Sequence, residues 1–99
     1  MLHIVNKSYA QTNSLQSCLR LTKDGHAVLL IEDAVYAATR SGADASGLAA
    51  AVTRVKVYAL QPDVAARGLK DKVIEGVTLV DYAGFVALVA EQPNCQSWL

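Results

Sequence analysis

The segment Ala27-Val28-Leu29-Leu30-Ile31 constrains the fold more than any other part of the chain. It is apolar at every position, whereas a strand with one wet face would alternate. Apolar side chains on both faces of a strand need cover on both sides. A parallel sheet flanked by helices supplies it.

The rest of the chain arranges itself around this run. Leu2-His3-Ile4-Val5 suits a first strand, and the polar stretch Asn6 to Thr12 reads as a loop. Asn13, with Gln16 three residues on, has the pattern of a capping box. A helix is predicted from about Ser14 to Lys23, with Leu15, Cys18, Leu19 and Thr22 on one face, stopped by Asp24-Gly25. Glu32-Asp33 opens a short helical stretch, Ala34 to Thr39. Arg40 to Gly47 is the most loop-like segment and leads into one or two helical turns at Leu48 to Val52. Val55 to Leu60 is a third strand. Pro62 at a first helical position and Asp63 beside it start a short helix that ends at Gly68. Val77 to Val80 is a fourth strand. Asp81 caps a last helix, Tyr82 to about Gln92, terminated by Pro93, and a tail from Asn94 to Leu99 follows.

Strands alternating with helices predict an α/β fold: a parallel sheet of four or five strands, flavodoxin-like, with the first strand inside and with Val28, Leu30 and Val57 deeply buried. One domain spanning residues 1–99 accounts for the chain. At 53% hydrophobic and 18% charged residues the composition is globular. A domain this short hides only roughly 60–65% of its unfolded surface. Apolar surface is therefore expected to remain for a partner subunit, or for self-association when the chain is alone.

Nine basic and nine acidic residues give a formal net charge of zero, without a basic run, which argues against direct nucleic-acid binding. The first residues lack the pattern of a secretion signal. No apolar stretch approaches the ~20 residues that span a bilayer. A soluble, cytoplasmic protein with no membrane contact is the expectation, with Cys18 and Cys95 reduced.

Few residues promise chemistry. The glycines are scattered and form no phosphate loop, the histidines and cysteines have no metal-ligand spacing, and no nucleophile elbow supports a Ser-His-Asp site. No cofactor is expected. Glu32, Asp33 and Asp81 follow strands at the carboxyl edge, where open α/β sheets place their sites, but capping explains the positions of Asp33 and Asp81 fully and is the preferred reading. Cys18 is the candidate sulfur carrier, since a thiolate near a helix N-terminus can accept and pass on a sulfane sulfur. It lies beyond the first turn and on the apolar stripe, so a packed structural cysteine is its other reading. Cys95 reads as an exposed thiol on a frayed end or a second carrier on a mobile arm. Trp98 reads as an anchor on the protein's own surface or on a neighbour. His3 is expected in the core, and His26, Arg67-Gly68 and Lys70-Asp71-Lys72 in solvent.

Several segments together resemble the DsrH/TusB family. They are Leu2-His3-Ile4-Val5-Asn6-Lys7-Ser8, Leu29 to Ala38, Val57-Tyr58-Ala59-Leu60 with Asp63 and Ala66-Arg67-Gly68, Val80 to Val86, and Gln96-Ser97-Trp98-Leu99. The resemblance covers essentially the whole chain in order. It implies the smallest of three related subunits, joined with DsrE/TusD-like and DsrF/TusC-like partners in a heterohexamer of two copies each. That complex passes persulfide sulfur from a TusA-like carrier to a DsrC/TusE-type acceptor, for tRNA wobble-uridine 2-thiolation or for sulfur oxidation. It also implies that the principal carrier cysteine belongs to the DsrE/TusD-like subunit. Ser14-Leu15-Gln16-Ser17-Cys18-Leu19 reproduces a context found in DsrH-type sequences, which tilts the branch towards sulfur oxidation.

Two functional readings follow. One is a non-catalytic or auxiliary subunit of a sulfurtransferase complex, in which losing Cys18 lowers transfer only in part. The other is a small sulfurtransferase acting directly through a Cys18 persulfide. A homo-oligomeric ligand-binding protein is a weaker third. The exposure of Cys18 separates the first two.

Overall fold

A computed structural model describes residues 1–92 and 94–98. Five strands, β1 (Leu2–Val5), β2 (Ala27–Leu30), β3 (Lys56–Leu60), β4 (Val77–Val80) and β5 (Cys95–Trp98), form one sheet in the order β4-β3-β2-β1-β5. Every pair is parallel. The helices are α1 (Ser14–Leu21), α2 (Arg40–Ser46), α3 (Leu48–Ala51), α4 (Gln61–Ala66) and α5 (Tyr82–Glu91), with 3-10 segments at Glu32–Ala38 and Lys70–Lys72. The parallel sheet with an interior first strand is as expected, and Val28, Leu30 and Val57 are at most 2% exposed. The switch point falls between β1 and β5, whereas flavodoxin itself has it between β1 and β3.

This order decides how the faces are covered. From β1 to β4 the chain steps in one direction, so right-handed crossovers put α1 to α4 on one face. The return from β4 to β5 carries α5 to the other. The packing follows suit. Val5, Val28, Leu30, Val57 and Ala59 meet Leu15, Cys18, Leu48 and Val64 in the large core. On the opposite face Leu2, Ala27 and Leu29 meet only Leu88 as a buried helical partner, with Phe85 beside it.

Local differences from the sequence reading have physical causes. Asn13 sits at φ −92°, ψ 8°, outside the extended region that an N-cap requires, and makes no side-chain cap. The Thr12 hydroxyl takes the Ser14 N–H instead, at 3.4 Å. Helix α1 ends at Leu21 because Thr22 turns extended, its hydroxyl donating to the Cys18 carbonyl at 2.6 Å.

Within the segment read as loop, residues 40–47, Arg40–Ser46 is helix α2. Thr39 caps it by accepting the Gly42 N–H at 3.2 Å, and Gly47 closes it at φ +85°. Gly42 permits the close approach, since a Cβ there would lie 2.1 Å from the Tyr36 carbonyl oxygen. The tail read after the last helix contains β5. The terminator role predicted for Pro93 lies outside the described residues.

Candidate functional site

Cys18 sits on the inward face of α1, between Leu15 and Leu19, because residues three and four apart share a helix face. It is 0% exposed. Its Sγ lies 3.5 Å from the Thr22 hydroxyl, and burial pushes the thiol pKa up in spite of that contact. Among the described residues its pKa is set by burial and by Thr22, with no cation contributing as a carrier thiolate needs. Cys95 is exposed on β5. It is an edge-strand residue, in register with Leu2 of β1.

The carboxyl edge of the sheet gathers Asn6, Glu32, Asp33, Asp63 and Arg67 in a polar network. Asp63 accepts the Glu32 backbone N–H at 2.7 Å. Glu32 itself stands at φ +50°, a left-handed conformation that costs a non-glycine residue about 1–3 kcal/mol. Arg67 grips Asp33 through Nε and Nη2, at 3.0 and 2.9 Å, and donates to the Asp63 carbonyl at 3.2 Å. Arg67 is thus not the solvated loop residue that its sequence context suggested. Asp33 makes no cap, and its charge is met by Arg67. Asp81 does cap α5, accepting the Gly84 N–H at 2.7 Å. These contacts tie the ends of β2 and β3 together, while the buried Oδ1 of Asn6, whose Nδ2 donates to Glu32 at 3.4 Å, has no partner among the described residues. Among the described residues, no three His, Cys, Asp or Glu side chains could hold a metal ion.

A groove of about 460 Å³ runs between α1 and α3, with Leu19, Ala50 and Ala51 among its walls and Arg54 at its rim. The Arg54 guanidinium is committed to the carbonyls of Thr22 and Leu19, while Arg20, also on the groove, donates to the Ser17 hydroxyl at 3.4 Å.

Helix α5 is the exception on the surface. It carries one charged residue, Glu91, and is apolar almost all round, yet only Leu88 is buried. Tyr82, Val86 and Val89 stand 61%, 68% and 39% exposed. Their spacing, i, i+4 and i+7, makes a continuous stripe. A helix apolar on every side is ordinarily buried, so α5 marks a face that awaits cover.

Comparison with known proteins places this architecture. A family profile described as "DsrH like protein" matches residues 7–95. The chain belongs to the DsrH/TusB family. Relatives named Protein TusB, from Pectobacterium parmentieri and Escherichia coli (strain K12), are each 36% identical over 98 residues, covering 99% of this chain and all of theirs. The fold matches the ychN protein from E. coli, with a TM-score of 0.80 at 21% identity over 97% of both chains. It also matches MTH1491 from Methanobacterium thermoautotrophicum, a protein of unknown function. That TM-score is 0.73, at 19% identity over 97% of this chain and 95% of the other. Membership in the DsrH/TusB family supports a place in a sulfur-relay complex. No helix among the described residues is long and apolar enough to cross a membrane.

Proposed function

We propose that the chain is an interaction subunit of a cytoplasmic sulfur-relay complex, joined there to TusC/DsrF-like and TusD/DsrE-like subunits. The observation that carries this reading is α5, which offers Tyr82, Val86 and Val89 to a partner. Persulfide sulfur passes through the assembled complex to a DsrC/TusE-type acceptor, with the principal carrier thiol on the TusD/DsrE-like subunit. Relatives named TusB favour the tRNA 2-thiolation branch over the sulfur-oxidation branch towards which the Cys18 context leans.

The alternative makes the chain itself a sulfurtransferase through Cys18. Its complete burial and raised pKa support the packing role instead, because transfer requires an accessible thiolate. The test is sulfur transfer to a DsrC/TusE-type acceptor by complex reconstituted with wild-type chain or with Cys18→Ser, assembly being checked by size-exclusion chromatography. The expected result is an unchanged rate, in place of the partial loss expected from the sequence, because the thiol is sealed in the core. Abolished transfer with assembly intact would establish the alternative.

A further inference from the structure

Strand β5 is a thinly held edge. Cys95, Gln96 and Ser97 are exposed, and only Trp98 is turned against the large core. Besides its backbone ladder to β1, the strand has one side-chain hydrogen bond to β1 among the described residues: the Trp98 indole Nε1–H donates to Nδ1 of His3 at 3.1 Å. An indole nitrogen can only donate, so His3 must present a lone pair at Nδ1 and carry its proton on Nε2. An imidazolium has hydrogen on both nitrogens and cannot accept this bond.

The surroundings make the neutral form the stable one. His3 is 5% exposed, and its ring stacks on His26 with centroids 6.3 Å apart. Its pKa is lowered from 6.5 by burial first, then by His26 and by the N-terminal amine. Helix α1, packed on this face, turns Leu15, Leu19 and the Cys18 thiol inward, and that thiol's pKa is raised. Strand β2 places Val28 opposite His3, and β5 places Gln96 opposite it. Among the described residues, none of these elements offers His3 a carboxylate.

We infer that His3 is a proton-operated latch on strand β5: neutral, it holds Trp98 and the strand in place, and protonated, it releases Cys95–Trp98 from β1. The sign follows from linkage. Above the ordinary value of 6.5, His3 is neutral whether β5 is docked or free, and the latch has full strength. As the pH falls further, the freed state, which loses the cover of Trp98 but keeps His26 and the N-terminal amine beside the ring, binds a proton that the docked state refuses, and docking weakens until the docked histidine also titrates.

Two readouts follow one strand. Trp98 is the only tryptophan, so its emission reports on β5 alone. The Leu2 N–H donates to the Asn94 carbonyl at 3.0 Å, so its exchange protection reports on the same ladder. From about pH 7.5 to about pH 5 we expect Trp98 emission to shift to the red. Leu2 protection should fall by up to about tenfold per pH unit, while Val28 and Val57 hold theirs. His3→Gln keeps an acceptor without a titration, and its emission should stay constant over the same range. His26→Gln removes one of the charges that oppose protonation, and its transition should move to higher pH.

Flat Leu2 protection in the wild-type chain overturns the inference, as does a His3→Gln chain that retains the wild-type emission transition. If His3→Gln does not fold, the His3 imidazole is titrated by NMR in the wild-type chain. A midpoint that coincides with the emission transition supports the latch, and one that departs from it refutes it.

Discussion

A buried thiol is tested most directly by taking it away. Cys18 lies at 0% exposure, so Cys18→Ala should leave a small cavity and cost about 1–2 kcal/mol in a urea melt. Alkylation of the native chain should modify Cys95 and spare Cys18 until the chain is unfolded. Gly42 makes a harsher demand. Its helix runs so close to the Tyr36 carbonyl that Gly42→Ala, with a Cβ 2.1 Å from that oxygen, should cost about 2 kcal/mol or more in the same melt. These two residues differ in how much the sequence discloses. The burial of Cys18 was legible in the three- and four-residue spacing of Leu15, Cys18, Leu19 and Thr22. Nothing local announces Gly42, because its constraint comes from the backbone of the preceding 3-10 segment. The same holds for Arg67, whose partner Asp33 is 34 residues away.

At the scale of elements, strong patterns transferred well and weak ones did not. Strands β1 to β4 and helix α5 were legible because continuous or β-branched apolar runs and an aspartate cap mark them. Helix α2 was not, since Arg-Ser-Gly-Ala-Asp-Ala-Ser has the composition of a loop, and its packing rather than its propensity makes it helical. Strand β5 escaped for a similar reason. As an edge strand it turns one large side chain inward, so no apolar run gives it away. Helix α5 carries the element-scale prediction. A charge in its exposed stripe, as in Val86→Asp, should abolish co-purification with TusC-like and TusD-like subunits. It should shift the melting midpoint of the isolated chain little, because Val86 is 68% exposed there. A Val86→Asp chain that still assembles would assign the interface to another face.

For the whole molecule, the asymmetry of the two sheet faces is the governing feature. One is sealed by four helices, and the other by a single helix whose own outer side is apolar. The isolated chain should therefore self-associate as its concentration rises, and added sister subunits should reverse this, as read by analytical ultracentrifugation. The placement of β5 against β1 reaches further, into synthesis. Strand β1 has, as one of its two neighbours, β5, which is made about 90 residues after it. At roughly 5–20 residues per second, the interval between them is about 5–20 s. During that time β1 can pair with β2 and cover its large-core face, but its other backbone edge stays open to any passing strand. A nascent chain delayed before Cys95 emerges is thus a four-stranded sheet with β1 as an uncovered edge, able to capture the β5 segment of a neighbouring copy.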